Sequence, residues 1–224
     1  MTKTKLPNVS PNVCLSWSWF KGWGRPITEC LAFIRWRVRI FVYRWAVRLG
    51  IDIRLNEDDR RILEKIILPS FAADDGIRNV LFVGCDWYTK FYPRMFPGRK
   101  FWTLEIDPRK RVYGSKLHIV DSAVNIGNHF LSEPLDLIVC NGVLGYGLDS
   151  RDDVEKAFAG CFASLRTGGV LLVGWDDIRT QLAVPLDQCE SLKFFRQHVF
   201  PPFGAWRTLI PNRFRKTYDF YIKE

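Results

Sequence analysis

The sequence predicts an α/β fold: a mostly parallel central sheet, helices on both faces, an antiparallel C-terminal strand pair and an N-terminal helical extension. Three observations predict it. Apolar, strand-like runs at 80–84, 101–107, 117–120, 135–141 and 170–175 alternate with helical or loop stretches. These runs are apolar throughout, as in parallel strands covered on both faces. The tail then changes character, with two further strand-like runs at 192–200 and 217–223 joined by a Pro/Gly/Arg-rich loop.

Each element has a local reason. Residues 27–49 place Ile27, Leu31, Ile34, Val38, Phe41, Val42, Trp45 and Leu49 at three- and four-residue spacing, one apolar stripe of a helix. Arginines 35, 37, 39, 44 and 48 flank that stripe, and Gly50 is placed to end the helix. A second helix is expected from Asn56, with Glu57, Asp58 and Asp59 suited to its positive end and Pro69 to stop it. Ser150 and Asp153 form a capping pattern for a helix whose face carries Val154, Phe158, Cys161, Phe162 and Leu165. Residues 1–26 have no steady period and read as loop, with Trp17, Trp19, Phe20 and Trp23 as docking aromatics. Two domains follow: a basic aromatic arm at 1–55 and an α/β domain at 56–224.

Charge and cysteine usage bound the function. Of the net charge of +9, eight units lie in residues 1–50, which hold nine Lys and Arg against Glu29 alone. The remaining domain is nearly neutral, so a nucleic-acid-binding face is not expected on it. Three readings of residues 27–49 stand side by side. The first packs an apolar face on the domain, with the arginines reaching outward. The second lays the helix on an anionic membrane surface. The third makes it an arm for a protein partner or for RNA. The six cysteines form no CxxC or CxxxC pair, so no metal site is expected, and their apolar settings suggest free thiols in a reducing, cytoplasmic compartment. Neither a secretory signal nor a membrane-spanning run is apparent, which leaves a cytoplasmic protein with an optional peripheral attachment.

Ligands of open α/β sheets bind beyond the carboxyl ends of the strands, where strand order reverses. The first strand ends in Gly84-Cys85-Asp86, where a glycine permits close approach of a cofactor. The second ends in Glu105-Ile106-Asp107-Pro108, and Glu105 lies 21 residues beyond Gly84, the place of a ribose-binding acid. The third ends in Asp121-Ser122, where an acid can accept from an exocyclic amine, and the fourth in Cys140-Asn141-Gly142.

Together these segments resemble the Rossmann-like cofactor half of the class I S-adenosylmethionine (SAM) methyltransferases. The resemblance rests on Val80–Gly84, Glu105–Pro108, Asp136–Leu144 and the Leu-x-x-Gly-Gly of Leu165–Gly169. It covers residues 79–177 well and 192–223 loosely. It implies SAM as cofactor, held by Gly84, Cys85, Asp86, Glu105, Ile106, Asp121, Ser122 and Asn141, and methyl transfer to a small-molecule or glycan acceptor. No residue declares itself as the catalytic base; Tyr146 stands where the family often places an active-site residue, and His118, His129 and His198 are candidates by type alone. The chain departs from the pattern after Gly84, where Asp86 and Tyr88 occupy positions usually held by glycines. The bulky segment 85–92 predicts either aromatic contact with the cofactor or a filled pocket. A non-catalytic scaffold, docked through its arm, and a nicotinamide-dependent oxidoreductase are the alternatives; the latter lacks GxGxxG.

Overall fold

The computed structural model describes residues 27–177, 183–212 and 214–224, with side chains from Ile34 onward. The expectations for residues 1–26 lie outside the described residues. The chain divides into two units, Met1–Val42 and Tyr43–Glu224. Helix α1, Ile27–Arg48, spans the division. In the first unit Ile34, Val38, Phe41 and Val42 are exposed. In the second, Val47 is buried, its carbonyl accepts from Lys90 Nζ at 3.1 Å, and Tyr43 packs on Trp87 at 5.5 Å. Gly50 follows at φ +89°, its N–H closing the last turn onto Val47.

The second unit holds an eight-stranded sheet in the order β3-β2-β1-β4-β5-β8-β6, with β7 also paired to β8. Strands β1 (Asn79–Val83), β2 (Lys100–Glu105), β3 (Leu117–Val120), β4 (Leu135–Asn141) and β5 (Leu165–Asp176) are mutually parallel. The long β8 (Lys216–Ile222) runs antiparallel to β5, and the short β6 (Arg196–Gln197) and β7 (Arg207–Leu209) run antiparallel to β8. The predicted fold class is therefore present.

Successive strand residues point to opposite faces, and both faces are covered. Leu81, Val83, Ile138, Cys140, Leu171 and Val173 meet Val154, Phe158 and Cys161 of α4 (Arg151–Ser164). Val80, Phe82, Leu137, Val139, Leu172 and Phe220 meet Leu63, Ile67, Leu68 and Phe71 on the other side. Helix α4 begins as its sequence predicts, with Ser150 Oγ accepting the Asp153 N–H at 3.1 Å.

Two expectations are corrected. The second helix begins one residue later than expected: α2 (Asp58–Ile62) has Glu57 rather than Asn56 at its cap position, with no side-chain cap bond. It does not stop at Pro69 either. A π-helical segment, Leu63–Ile67, leads into α3 (Leu68–Ala72), and Pro69 lies inside. In a regular α-helix the ring of Pro69 clashes with the carbonyl four residues back and removes one hydrogen bond; a π turn is wider and accommodates it. The run at 192–200 is mostly not a strand. Ser191–Phe194 forms a 3₁₀ turn, leaving only Arg196–Gln197 to pair.

Two carboxylates hold the scaffold. Asp136, at the amino end of β4, accepts the N–H groups of Arg78 and Asn79 at 2.8 and 2.7 Å and pairs with Arg166 Nε. It opens the stretch that carries the family resemblance, yet it sits at the end of β4 opposite Asn141 and is a structural tie between β1, β4 and β5. Glu155 on α4 accepts the N–H groups of Glu190 and Ser191 at 2.9 and 2.8 Å and the Ser191 hydroxyl at 2.7 Å. Burial opposes ionisation of Glu155, but these donors outweigh it and hold its carboxyl at about 2.

Asp136→Ala is expected to destabilise the protein by about 3 kcal/mol, because it strands two backbone donors and an arginine; chemical denaturation at neutral pH measures this. The Glu155 carboxyl is depressed in the fold, so its contribution is complete above its unfolded value and is lost as pH falls through the folded one. Glu155→Gln is therefore expected to cost on the order of 2 kcal/mol at pH 7, and the gap to the parent protein to close between about pH 4.3 and pH 2. Denaturation curves across that window check it.

Candidate functional site

Strand order reverses between β1 and β4, and the carboxyl ends of β1, β2, β3 and β4 surround a half-open cleft there. Its lining comprises Val83, Gly84, Leu104, Glu105, Ile106, Asp121, Ser122, Ala123, Val143, Tyr146, Gly147 and Leu148. The cleft is small and about half open to solvent. Six of the predicted residues meet in it: Gly84, Glu105, Ile106, Asp121, Ser122 and Tyr146. Cys85, Asp86 and Asn141 lie beside or beneath it.

Gly84 ends β1 at φ +80°, a conformation open to glycine, and a Cβ there would come within 3.3 Å of Val143. The next backbone group, the Cys85 N–H, donates to Glu105 Oε2 at 3.0 Å, while Glu105 Oε1 accepts the Asp107 N–H at 3.0 Å. One buried carboxylate thus fixes the turns after β1 and β2 together. Lys110 Nζ stands 3.7 Å from Glu105 Oε2 and 3.3 Å from Asp86 Oδ2. Burial opposes the charge on Lys110, but the two acids outweigh it and raise its pKa. Lys110 was not legible as a site residue, although it follows Glu105 by one short 3₁₀ turn, Pro108–Tyr113. The Cys85 thiol is pushed up to about 12 by burial and by Glu105, so it is a neutral packing group.

The segment after Gly84 does not fill the cleft. Asp86 caps a 3₁₀ turn, Trp87–Thr89, with its Oδ1 accepting the Trp87 N–H at 2.7 Å and its own N–H donating to Thr89 Oγ1 at 3.0 Å. Neither Trp87 nor Tyr88 is among the residues that line the cleft, although Tyr88 stays close enough to act on the Tyr146 phenol. Trp87 is buried against Tyr43 and Tyr88, and Tyr88 lies beneath the Arg60 guanidinium at 4.6 Å.

Asp121 ends β3. Its Oδ1 accepts from Asn125 Nδ2 and the Ser122 N–H, and its Oδ2 pairs with His129 Nε2 at 2.8 Å. Asn125 and then His129 lower its carboxyl below the usual range. His118 bonds Thr103 Oγ1 at 2.8 Å; neither it nor His198 lines the cleft.

Past the end of β4 a buried polar cluster adjoins the cleft. Asn141 is 5% exposed, and among the described residues its Oδ1 and Nδ2 have no hydrogen-bond partner. Lys216, at the start of β8, pairs with Asp176, at the end of β5, at 3.2 Å. Burial pushes the Lys216 amine down, with Asp176 offsetting part of the effect. Gly142, at φ +70°, lies beside this lysine; a Cβ there would lie 4.0 Å from Lys216 Nζ. Above the pair, α2 contributes Asp59 and Arg60, both buried. Tyr218 OH donates to the Asp59 carbonyl at 3.0 Å. Tyr146 belongs to the cleft side of this cluster, its phenol raised by burial, then by Asp176 and Tyr88.

No protein-family model matches the sequence, and no curated protein matches it. Solved structures do match. The N-methyltransferase NodS from Bradyrhizobium japonicum WM9 superposes with a TM-score of 0.55 at 16% identity, covering 76% of this chain and 100% of that one. A TehB-like SAM-dependent methyltransferase from Corynebacterium glutamicum gives 0.54 at 18% identity, over 89% of this chain and all of the other. Magnesium protoporphyrin IX methyltransferase from Synechocystis PCC 6803, solved with bound SAM, gives 0.55 at 12% identity, over 81% and 90%. The α/β unit of this protein therefore has the fold of the class I SAM-dependent methyltransferases.

Proposed function

We propose that the protein transfers the methyl group of SAM to a small-molecule or glycan acceptor. The observation that carries this reading is the cleft at the strand-order reversal, where Gly84, Glu105, Asp121 and Tyr146 meet. Bound SAM supplies an activated methyl group for in-line displacement, and the protein's task is alignment. Gly84 offers bare backbone for close approach. Glu105 keeps lone pairs beyond the two backbone donors it already serves, enough to accept from a ribose diol. Asp121 faces the cleft from the far side and suits an adenine amine. Tyr146 borders the side toward the polar cluster, where an acceptor would enter. The near-neutral α/β domain favours an uncharged or small acceptor over a polyanion.

We infer in addition that α1 attaches the protein to an anionic membrane surface. Ile34, Val38, Phe41, Val42, Trp45 and Leu49 are all more than half exposed and form the predicted stripe between arginine columns. No described helix is long and apolar enough to cross a membrane, and a stripe with basic flanks suits the interfacial plane.

Calorimetric titration tests the cofactor. The parent protein is expected to bind S-adenosylhomocysteine, and Glu105→Gln to weaken that binding by about ten- to a hundredfold, the scale of one or two charge-assisted hydrogen bonds. Binding of NAD alone would replace the methyltransferase reading by an oxidoreductase, and binding of neither would leave a scaffold. For the membrane, the full chain is expected to sediment with vesicles containing ~30% phosphatidylserine and not with pure phosphatidylcholine, and Phe41→Ser/Trp45→Ser to lose most of that association. Equal sedimentation of parent and variant removes the membrane reading.

A further inference from the structure

The last turns of α1 have two faces with different neighbours. Tyr43 and Val47, one turn apart, face the domain. Tyr43 packs on Trp87 with ring centroids 5.5 Å apart, and Val47 is buried, its carbonyl accepting from Lys90 Nζ at 3.1 Å. Trp45 and Leu49 lie about 200° around the helix from them and are 52% and 71% exposed. Ile51, just beyond the helix, is exposed too, as are Arg44 and Arg48. The outer face is thus apolar with basic flanks, which suits an anionic lipid surface.

The inner face grips one segment, residues 87–94, on the way from β1 to β2. That segment contains neither strand nor α-helix, only the 3₁₀ turns Trp87–Thr89 and Tyr92–Met95. Such short turns have few and poorly aligned hydrogen bonds of their own, so contacts from outside hold the segment in place. The chain after α1 continues along it: Asp52 pairs with Arg94, and the Arg54 guanidinium lies 4.5 Å over the Phe91 ring. At its other end the segment reaches the cleft. Asp86 caps the first turn, Lys110 stands between Asp86 and Glu105, and Glu105 holds the Cys85 N–H. Residues 43–54 and the cleft wall are therefore joined through one turn.

We propose that residues 43–54 couple membrane attachment to cofactor binding. An anionic lipid surface that holds the outer face of α1 fixes the inner face against Trp87 and Lys90, and so steadies the turn after β1 in the form that accepts the cofactor. The two states are a seated turn, with Trp87 on Tyr43 and Lys90 on the Val47 carbonyl, and a released one. The inference rests on the methyltransferase and membrane readings together and adds the link between them. Such a link is reciprocal: if the membrane tightens cofactor binding, the cofactor tightens membrane attachment by the same factor.

Calorimetric titration of S-adenosylhomocysteine into the full chain tests the link, with vesicles of ~30% phosphatidylserine or of phosphatidylcholine alone present. The parent protein is expected to bind at least about fivefold more tightly beside the anionic vesicles, the lower end of known couplings. Saturating S-adenosylhomocysteine is expected to raise the affinity for anionic vesicles in sedimentation by the same factor. Phe41→Ser/Trp45→Ser, which loses the vesicles, loses the difference. Tyr43→Ala and, separately, Lys90→Met keep the outer face and still sediment, but their coupling falls to about twofold or less. Equal affinity beside both kinds of vesicle, in a protein that sediments with the anionic kind, overturns the coupling and leaves the two parent readings standing. Failure to sediment overturns the membrane reading and the coupling with it. If the protein sediments but binds no S-adenosylhomocysteine, the methyltransferase reading falls, and hydrogen exchange at the amides of residues 86–94 decides the link. Exchange slowed by anionic vesicles supports the seated turn, and unchanged exchange overturns it.

Discussion

The functional end of the sheet depends on the carboxylate of Glu105. Its two oxygens accept backbone donors from separate turns, one after β1 and one after β2. The turn after β1 has a single glycine and a run of bulky residues, so it cannot hold its shape through glycine conformations alone. It is held by polar contacts: Glu105 on the Cys85 N–H, the reciprocal cap between Asp86 and Thr89, and Lys110 between the two acids. The aromatic bulk is thereby packed on Tyr43 and Arg60 and does not line the cleft. A loop that reads as a defect in sequence is a differently braced version of the same turn.

The two ends of the strands carry different work. At the amino ends, Asp136 is saturated by two backbone donors and Arg166, and nothing is left to meet a ligand. At the carboxyl ends satisfaction is incomplete: Asn141 has no hydrogen-bond partner among the described residues. A fold tolerates such deficits where something else is to be bound, and confines saturated ties to places where nothing is. The contrast between Asp136 and Asn141, five residues apart on one strand, sets the tied end of the sheet against the end that carries the cleft.

Much of the fold was legible because its signals are local. The five apolar runs became β1 to β5, and Ser150 caps α4 as its spacing predicts. Gly84, Glu105 and Asp121 share one cleft because each follows a parallel strand, and parallel strands end together. What was missed depends on distant partners. The run at 192–200 has strand composition, but Glu155 captures the backbone at 190 and 191 and turns it. Asp59 reads as a residue suited to a helix dipole; its burial comes from Tyr218, 159 positions away. Lys216 looks like the polar start of an apolar strand until Asp176 is seen opposite it. No spacing rule brings such pairs together.

Strand β8 has a consequence for how the protein is made. It lies inside the sheet, between β5 and the short β6 and β7, yet it follows every other described strand of that sheet in sequence. Until it arrives, the edge of β5 is an unpaired row of backbone groups, which is an invitation to wrong pairing. Its insertion brings Lys216 to Asp176 and Tyr218 to the carbonyl of Asp59 in one event. The parallel half of the sheet, with Gly84, Glu105 and Asp121, has by then already been synthesised. Nascent chains of this protein thus carry Gly84, Glu105 and Asp121 before they possess the Lys216–Asp176 pair, which is gained only with β8.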